Sequence, residues 1–335
     1  MRITRDLLHK FARETVKQRQ RSEPDLHAAY LTGSVLQESP LLGGVTDIDL
    51  VLVHKYQAPV EREILALTGE LSLDIFHKRQ GDYEQHRHLR QDPWMGYPLT
   101  HYHILLFDTN HWLEFIQSSV NPNFHRPDNV LARVNLFLNA ARDDWFSLVQ
   151  TPSETHVQWL HQYLQVLAQA ANAIAGLIGP PLTTRHFLAT FNQRVHTLGV
   201  PNLITGFFGL LGFTEENRGS LSTWLEGCEA DFEYMLETSV PPIHLAECRQ
   251  RYYLEGIRAL IHDETPDHAL WPLLRIWLDL HLTMPEPSPG REAWEDCLSA
   301  LNLIEAQADQ KTEALDAYLD TLEINLESWA EIYGI

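Results

Sequence analysis

The chain has 335 residues, 44% hydrophobic and 21% charged, which is typical of globular proteins and long enough for two domains. No apolar run approaches the roughly 20 residues that a membrane-spanning helix needs, so no membrane partner is predicted. The net charge is −20, of which residues 111–335 carry −18, and this disfavours a long nucleic acid as a partner because phosphate backbones bind cations.

The compartment is predicted from the N-terminus and the cysteines. Residues 1–21 are basic but contain no apolar segment of the kind that a signal peptide carries. The three cysteines stand far apart and lack the spacing of a zinc knuckle or a disulfide framework. We therefore expect a cytoplasmic protein with free thiols.

Residues 1–110 are predicted to form a small mixed-sheet α/β domain. The predicted elements, in chain order, are a helix over 6–20, a strand over 27–32, a short helix after Ser34, a strand over 47–54, a helix over 58–70, a strand over 71–77 and a strand over 100–108.

Residues 111–335 are predicted to form an all-α helical bundle. Apolar residues at helical spacing cover 129–146, 151–179, 182–198, 220–238, 242–261 and 269–282, and the spacing returns after a Pro-rich linker near residue 287. The fold class predicted for the whole chain is therefore α+β, with a sheet domain over 1–110 and a helical domain over 111–335. We expect the acidic helical domain to form the wall of a cleft on the side where an acceptor binds.

Three carboxylates in the first domain are predicted to converge. Asp47 and Asp49 are two residues apart at the start of an apolar strand, so both side chains point to the same face. Asp74 lies at the centre of another apolar strand. Buried carboxylates repel one another unless a positive charge compensates them. Carboxylate oxygens are the ligands of hard divalent cations, so the pattern predicts Mg²⁺, as two ions that stabilise an in-line displacement at phosphorus.

A Gly-Ser pair supplies a candidate phosphate contact. Gly33 follows a predicted strand and has no Cβ, so its backbone can approach a phosphate closely. Ser34 and the N–H groups after it open the predicted short helix, and helix N-termini attract anions. The two features together predict a nucleoside triphosphate site.

The order of these motifs resembles the DNA polymerase beta-like nucleotidyltransferase superfamily: a strand, Gly33-Ser34, a loop, Asp47-Ile-Asp49 on a second strand, and Asp74 on a third. A helical domain after the catalytic domain is similar to the kanamycin and streptomycin nucleotidyltransferase branch. The resemblance implies that the three aspartates bind metal, that Asp74 is also a candidate base, and that Gly33-Ser34 contacts the triphosphate.

The expected activity is transfer of a nucleoside monophosphate, AMP from ATP, to an acceptor, with Mg²⁺ as the cofactor. The charge balance favours a small hydroxyl-bearing molecule or a protein side chain as the acceptor over an RNA end. An acidic wall would also suit a polycationic acceptor such as an aminoglycoside, although acidic residues promote solubility without any ligand. The sequence leaves the acceptor, its activating base and the oligomeric state open.

The alternative is a catalytically inactive nucleotide-binding or partner-binding module of the same fold, such as an antitoxin. Two departures from the family pattern keep it open: no Lys or Arg lies between Ser34 and Asp47, and Thr46 stands where a Ser is common. The histidines predict no dedicated zinc site, because neither His86 and His88 nor His101 and His103 have a metal-site partner at a familiar spacing.

Overall fold

The computed structural model describes residues 3–36, 40–101, 104–151 and 153–335. The chain divides into two compact units. The first contains residues 1–129 together with 243–256, and the second contains residues 130–242 together with 257–335. The chain is α+β, with a five-stranded mixed sheet in its N-terminal part and a mostly helical C-terminal part.

The strands and helices have the following bounds. The strands are β1 (Leu26–Thr32), β2 (Thr46–His54), β3 (Arg62–Ala66), β4 (Leu71–Arg79) and β5 (Leu105–Asp108). The helices are α1 (Arg5–Ser22), α2 (His86–Gln91), α3 (Trp112–Phe124), α4 (Pro127–Gln150), α5 (His156–Ala175), α6 (Phe187–Thr197), α7 (Asn202–Leu211), α8 (Leu221–Thr238), α9 (Glu247–Ile261), α10 (Leu270–His281), α11 (Arg291–Ala300) and α12 (Ala308–Tyr333).

The sheet of the first unit has the order β3-β4-β2-β1-β5. β2 and β4 pair in parallel, and the other neighbours pair antiparallel. β2 is central, and its apolar residues Leu50 and Leu52 are fully buried, as the continuous apolar run after Asp49 predicts. Leu8 and Val16 of α1 belong to the same hydrophobic core.

One predicted element has the wrong type, and the strand predicted over 100–108 is shorter in the structure, where β5 covers Leu105–Asp108. The segment 58–70, predicted as a helix, contains the strand β3, which forms one edge of the sheet beside β4. The apolar residues of this segment fit a helical period, but the exposed edge of β4 offers unpaired backbone groups, and pairing with them overrides the local helix preference. Ile64 lies opposite Asp74 in this pairing, which places Arg62 beside the predicted acidic site.

The second unit is built around buried aromatic residues. Trp224, Trp271 and Trp277 are nearly or fully inaccessible to solvent. The ring of Phe187 stacks on Trp271 with centroids 4.1 Å apart. Among the described residues, no helix combines the length and the apolar character needed to cross a membrane.

Candidate functional site

The register of β2 and β4 brings the three predicted acids together. Asp49 lies directly opposite Asp74, and Asp47 lies opposite Ser72. Because side chains alternate along a strand, all four point to the same face of the sheet. One carboxylate oxygen from each aspartate lies within 4.8 Å of the other two.

Two of the three aspartates are held away from solvent, and Asp49 is partly buried. Asp47 is 3% exposed and Asp74 is 1% exposed. Burial and the neighbouring charges of Asp47 and Asp74 raise the pKa of Asp49 well above its ordinary value, although Arg249 and the backbone N–H of Ser34 oppose the shift. The cluster therefore disfavours a third negative charge unless a further cation is present.

The Gly33-Ser34 turn lies against Asp49. Gly33 has a φ of +67°, and a Cβ added to it would lie 1.8 Å from Asp49 Oδ2. No side chain fits between this turn and the carboxylate, so the glycine is required both by backbone conformation and by space. The Ser34 hydroxyl lies 3.5 Å from the carbonyl oxygen of Asp47. The short helix predicted after Ser34 is a single 3-10 turn over Gly33–Leu36.

Arg249 compensates the charge of Asp47. Its Nη1 donates to Asp47 Oδ2 at 2.8 Å and to the Ser72 hydroxyl at 3.3 Å. The guanidinium lies 3.8 Å from the centroid of the Tyr252 ring, a cation–π distance. Arg249 is 3% exposed. Burial lowers its pKa, but Asp47 and the neighbouring tyrosines outweigh this and raise the pKa above the ordinary value, so the side chain stays charged.

Arg62 compensates the charge of Asp74. Its Nε donates to Asp74 Oδ1 at 2.8 Å and its Nη2 donates to Asp74 Oδ2 at 2.6 Å. This is a bidentate pair, the strongest geometry between a guanidinium and a carboxylate. The arginine side chain is 28% exposed, so it is the more accessible member of the pair.

The remaining lone pairs fit a hard cation. Asp47 Oδ1 is buried and has no hydrogen-bond partner among the residues that the structure describes. Two guanidinium groups face three carboxylates, which leaves one carboxylate charge uncompensated in this group of side chains. Each carboxylate oxygen has two lone pairs, so the oxygens already bonded to arginine can also accept a metal. Asp47 and Asp49 are the best-placed ligands, because Asp74 is held at both oxygens by Arg62.

Sequence reasoning missed both arginines. The apolar pattern of residues 58–70 predicts a helix for Arg62, and Arg249 lies 202 residues from Asp47 in the chain. The clustering of buried carboxylates does signal that cations must be nearby, but the pattern does not identify which arginines supply them. His103, one of the histidines considered in the sequence, lies outside the described residues.

The chain was compared with known protein families and with curated proteins. No family matches it, and no curated protein matches it. The function is therefore inferred from the chemistry of the site itself.

Proposed function

We propose that this chain is a metal-dependent nucleotidyltransferase that moves a nucleoside monophosphate, AMP from ATP, to an acceptor. One observation carries the proposal: three carboxylates on adjacent parallel strands, those of Asp47 and Asp74 buried, converge within 4.8 Å, directly against a glycine turn that tolerates no Cβ. Metal ligands beside a backbone turn without a side chain suit a metal-bound triphosphate. The metal compensates the negative charge of the phosphates, and the turn lets them approach the backbone N–H groups closely.

Asp47 and Asp49 would hold Mg²⁺, with Asp74 as a third ligand or as the base that accepts the acceptor's proton. When bound, the metal supplies positive charge that stabilises the attacking and leaving oxygens of the displacement. The unpartnered Oδ1 of Asp47 and the raised pKa of Asp49 support this assignment, because both are relieved by a cation.

The protein's own groups bind and orient the substrate. Gly33 lets the backbone approach the triphosphate, and the Ser34 hydroxyl and N–H act as donors near Asp49. Arg62, the more exposed arginine, is suited to bind phosphate oxygens when they reach the site. Arg249 is buried beneath Asp47 and acts as a positioning residue that holds this carboxylate in one orientation.

The acceptor is proposed to be a small hydroxyl-bearing molecule or a protein side chain. Residues 111–335 carry 12 Lys and Arg residues against 30 Asp and Glu residues, a balance that repels a nucleic acid backbone. A polycationic acceptor such as an aminoglycoside fits the same charge balance.

The proposal is tested with ATP labelled at the α-phosphate, in the presence of Mg²⁺ and separate pools of aminoglycosides, tRNA and cell proteins. We expect label to appear on the aminoglycoside or the protein pool, with release of pyrophosphate. Asp49→Asn should abolish the transfer, whereas the exposed control Asp143→Asn should retain it. Label on tRNA would contradict the acceptor proposal, and equal labelling by Asp49→Asn would contradict the mechanism.

The arginine pairs favour a second candidate, a non-catalytic nucleotide-binding or partner-binding module. In such a module Arg249 and Arg62 would permanently take the place of metal, and the bidentate pair at Asp74 would leave no base. Binding of ATP and Mg²⁺ without transfer to any pool would favour this candidate over the enzyme.

A further inference from the structure

A second cluster of polar side chains lies on the opposite face of the same sheet. His54 ends β2, and His77 of β4 lies opposite Leu52, so the two histidines are diagonal neighbours on one face. The rings are stacked with centroids 5.1 Å apart. His54 is 0% exposed and His77 is 3% exposed. His54 Nε2 and His77 Nδ1 lie only 2.8 Å apart.

A carboxylate completes this cluster. Glu23, just after α1, places its Oε2 3.9 Å from His54 Nε2. Arg19 binds the other oxygen of Glu23 at 2.7 Å and also binds Glu63 at 2.7 Å, so both carboxylates are held in place. The Glu23 oxygen, His54 Nε2 or Nδ1 and a ring nitrogen of His77 form a group whose atoms all lie within 4.8 Å of one another.

When both imidazoles are counted as neutral, two buried acceptor atoms of this cluster have no hydrogen donor. His77 Nε2 lies 2.7 Å from Glu63 Oε1, so this nitrogen carries a hydrogen. His77 Nδ1 then carries a lone pair and no hydrogen. Neutral His54 has a single N–H, which must lie on Nε2 to donate to His77 Nδ1. His54 Nδ1 is therefore left without a hydrogen, so its lone pair faces the carboxylate oxygen Asp25 Oδ1 at 3.6 Å. Within the described part of the chain, neither His54 Nδ1 nor Glu23 Oε2 has a hydrogen-bond partner.

A cation bound between the rings would remove both problems, the lone pair of His54 Nδ1 that faces Asp25 and the unpartnered Glu23 Oε2. If the metal takes the lone pairs of His54 Nε2 and His77 Nδ1, each ring carries its hydrogen on the outer nitrogen. His54 then directs an N–H toward Asp25, and His77 keeps its hydrogen bond to Glu63. This is the arrangement in which carboxylates orient metal-bound histidines.

The local charge points to a divalent ion. The carboxylates of Glu23, Asp25 and Glu63 carry three negative charges, and the guanidinium of Arg19 supplies one positive charge. With neutral imidazoles these four groups have a net charge of −2, which one divalent cation cancels. Two imidazoles and one carboxylate suit Zn²⁺ and related transition metals, whereas Mg²⁺ prefers oxygen ligands.

We propose that Glu23, His54 and His77 form a binding site for a transition-metal cation of the Zn²⁺ class. The site joins the C-terminal end of α1 to β2 and β4, so it stabilises the packing of the helix on the sheet. The Glu23 side chain is 15% exposed, so the site borders solvent on the side of α1. The site is separate from the acidic cluster and does not depend on the proposed transferase activity.

The test measures zinc uptake by the full-length protein after dialysis against Zn²⁺ and then against metal-free buffer. The variants are His54→Gln, which keeps a polar group but removes the imidazole, and Glu23→Gln, which changes a partly exposed residue. The controls are His196→Ala, an exposed histidine, and Asp49→Asn, which impairs the acidic cluster. Substitution of Co²⁺ for Zn²⁺ adds a visible absorption spectrum that reports nitrogen ligands.

We expect one tightly held Zn²⁺ per chain in the wild type, in His196→Ala and in Asp49→Asn. Both ligand variants should lose it, and Asp25→Asn should bind it about 10- to 100-fold more weakly, because Asp25 only orients His54. Less than one Zn²⁺ per wild-type chain would overturn the proposal and would assign the missing positive charge to a proton. Stoichiometric zinc in folded Glu23→Gln, or its loss in Asp49→Asn alone, would also overturn it.

Discussion

Gly33 and Asp49 approach each other so closely that a Cβ on residue 33 would lie 1.8 Å from Asp49 Oδ2. The backbone turn and the carboxylate therefore form a single unit, in which neither can change without moving the other. This contact links the candidate phosphate turn to the candidate metal ligands.

Gly33→Ala should disrupt this unit. The new methyl group must push Asp49 away, and a φ of +67° adds backbone strain of roughly 1 kcal/mol or more. We expect loss of Mg²⁺-dependent ATP binding, measured by calorimetry. Gly44→Ala is the matched control, because Gly44 has a φ of +74° but nothing lies within 4 Å of its added Cβ. Gly44→Ala should lower the melting temperature because of the backbone strain, but it should keep ATP binding. Equal loss of ATP binding in both variants would contradict the role assigned to the Gly33–Asp49 contact.

Arg249→Met should strongly destabilise the protein in the absence of metal. It leaves the buried carboxylate of Asp47 without its cation, and breaking a buried ion pair in this way costs about 3–5 kcal/mol. Urea unfolding measures the loss. The double variant Arg249→Met with Asp47→Asn should recover most of it, since residue 47 then carries no charge that needs the arginine.

The control for this prediction is Arg251→Met. Arg251 pairs with Glu70 at 3.5 Å, and both side chains are about half exposed. An exposed pair of this kind contributes about 1 kcal/mol or less. If Arg249→Met costs no more than Arg251→Met, the pairing described for Asp47 is wrong.

Asp49→Asn should stabilise the metal-free protein. Its carboxylate is buried beside those of Asp47 and Asp74, and an amide removes the repulsion while still accepting the N–H of Ser34. At an effective dielectric constant near 20 the gain is on the order of 1–3 kcal/mol. Urea unfolding without Mg²⁺ should show a higher free energy of unfolding than the wild type. A lower free energy of unfolding in Asp49→Asn would contradict this prediction. It would show that the charge of Asp49 is compensated by more than Arg249 and the N–H of Ser34.

A buried aspartate of the second unit should control stability in acid. Asp231 is fully buried and accepts hydrogen bonds from Trp277 Nε1 at 2.6 Å and from the Gly290 N–H at 2.7 Å. His281 Nε2 lies 3.3 Å from the same carboxylate, and its Nδ1 lies 2.8 Å from Glu286. Burial alone would raise the pKa of Asp231, but these partners lower it below 3.8.

The sign of the pH effect follows from this shift. Because the folded state holds the proton less tightly than the unfolded state, the contribution of Asp231 is complete above pH 3.8 and is lost as the pH falls through the folded pKa. Asp231→Asn should cost about 1.5–3 kcal/mol near neutral pH, and the difference from the wild type should shrink in acid. Urea unfolding across this range measures it, with exposed Asp263→Asn as the control. A difference that grows toward acid pH would contradict the assignment.

The sequence predicted the parts of the site that depend on local pattern. The alternation Asp47-Ile-Asp49 before an apolar run specifies a shared face, and Gly33 marks a turn. The pairing of β2 with β4 depends on tertiary structure, yet the lone Asp74 in an apolar strand was sufficient to place it in the group.

The parts that depend on long-range pairing were not predictable. Arg249 reaches Asp47 across 202 positions, and the segment containing Arg62 has a helical period although it pairs as an edge strand. His54 and His77 are 23 residues apart, which matches no metal-binding motif, and they meet only because β2 and β4 lie in parallel register. Residue spacing in the sequence predicts no zinc site, because it does not reveal which residues the register of β2 and β4 brings together.

Calorimetric titration with ATP determines whether Asp47 and Asp49 form a metal-dependent triphosphate site. The titration is run with and without Mg²⁺ on the wild type, Asp49→Asn and the control Asp143→Asn. We predict binding to the wild type and to Asp143→Asn only when Mg²⁺ is present, and no binding to Asp49→Asn under either condition. Binding of equal strength to Asp49→Asn, or binding to the wild type that is unaffected by Mg²⁺, would contradict the account.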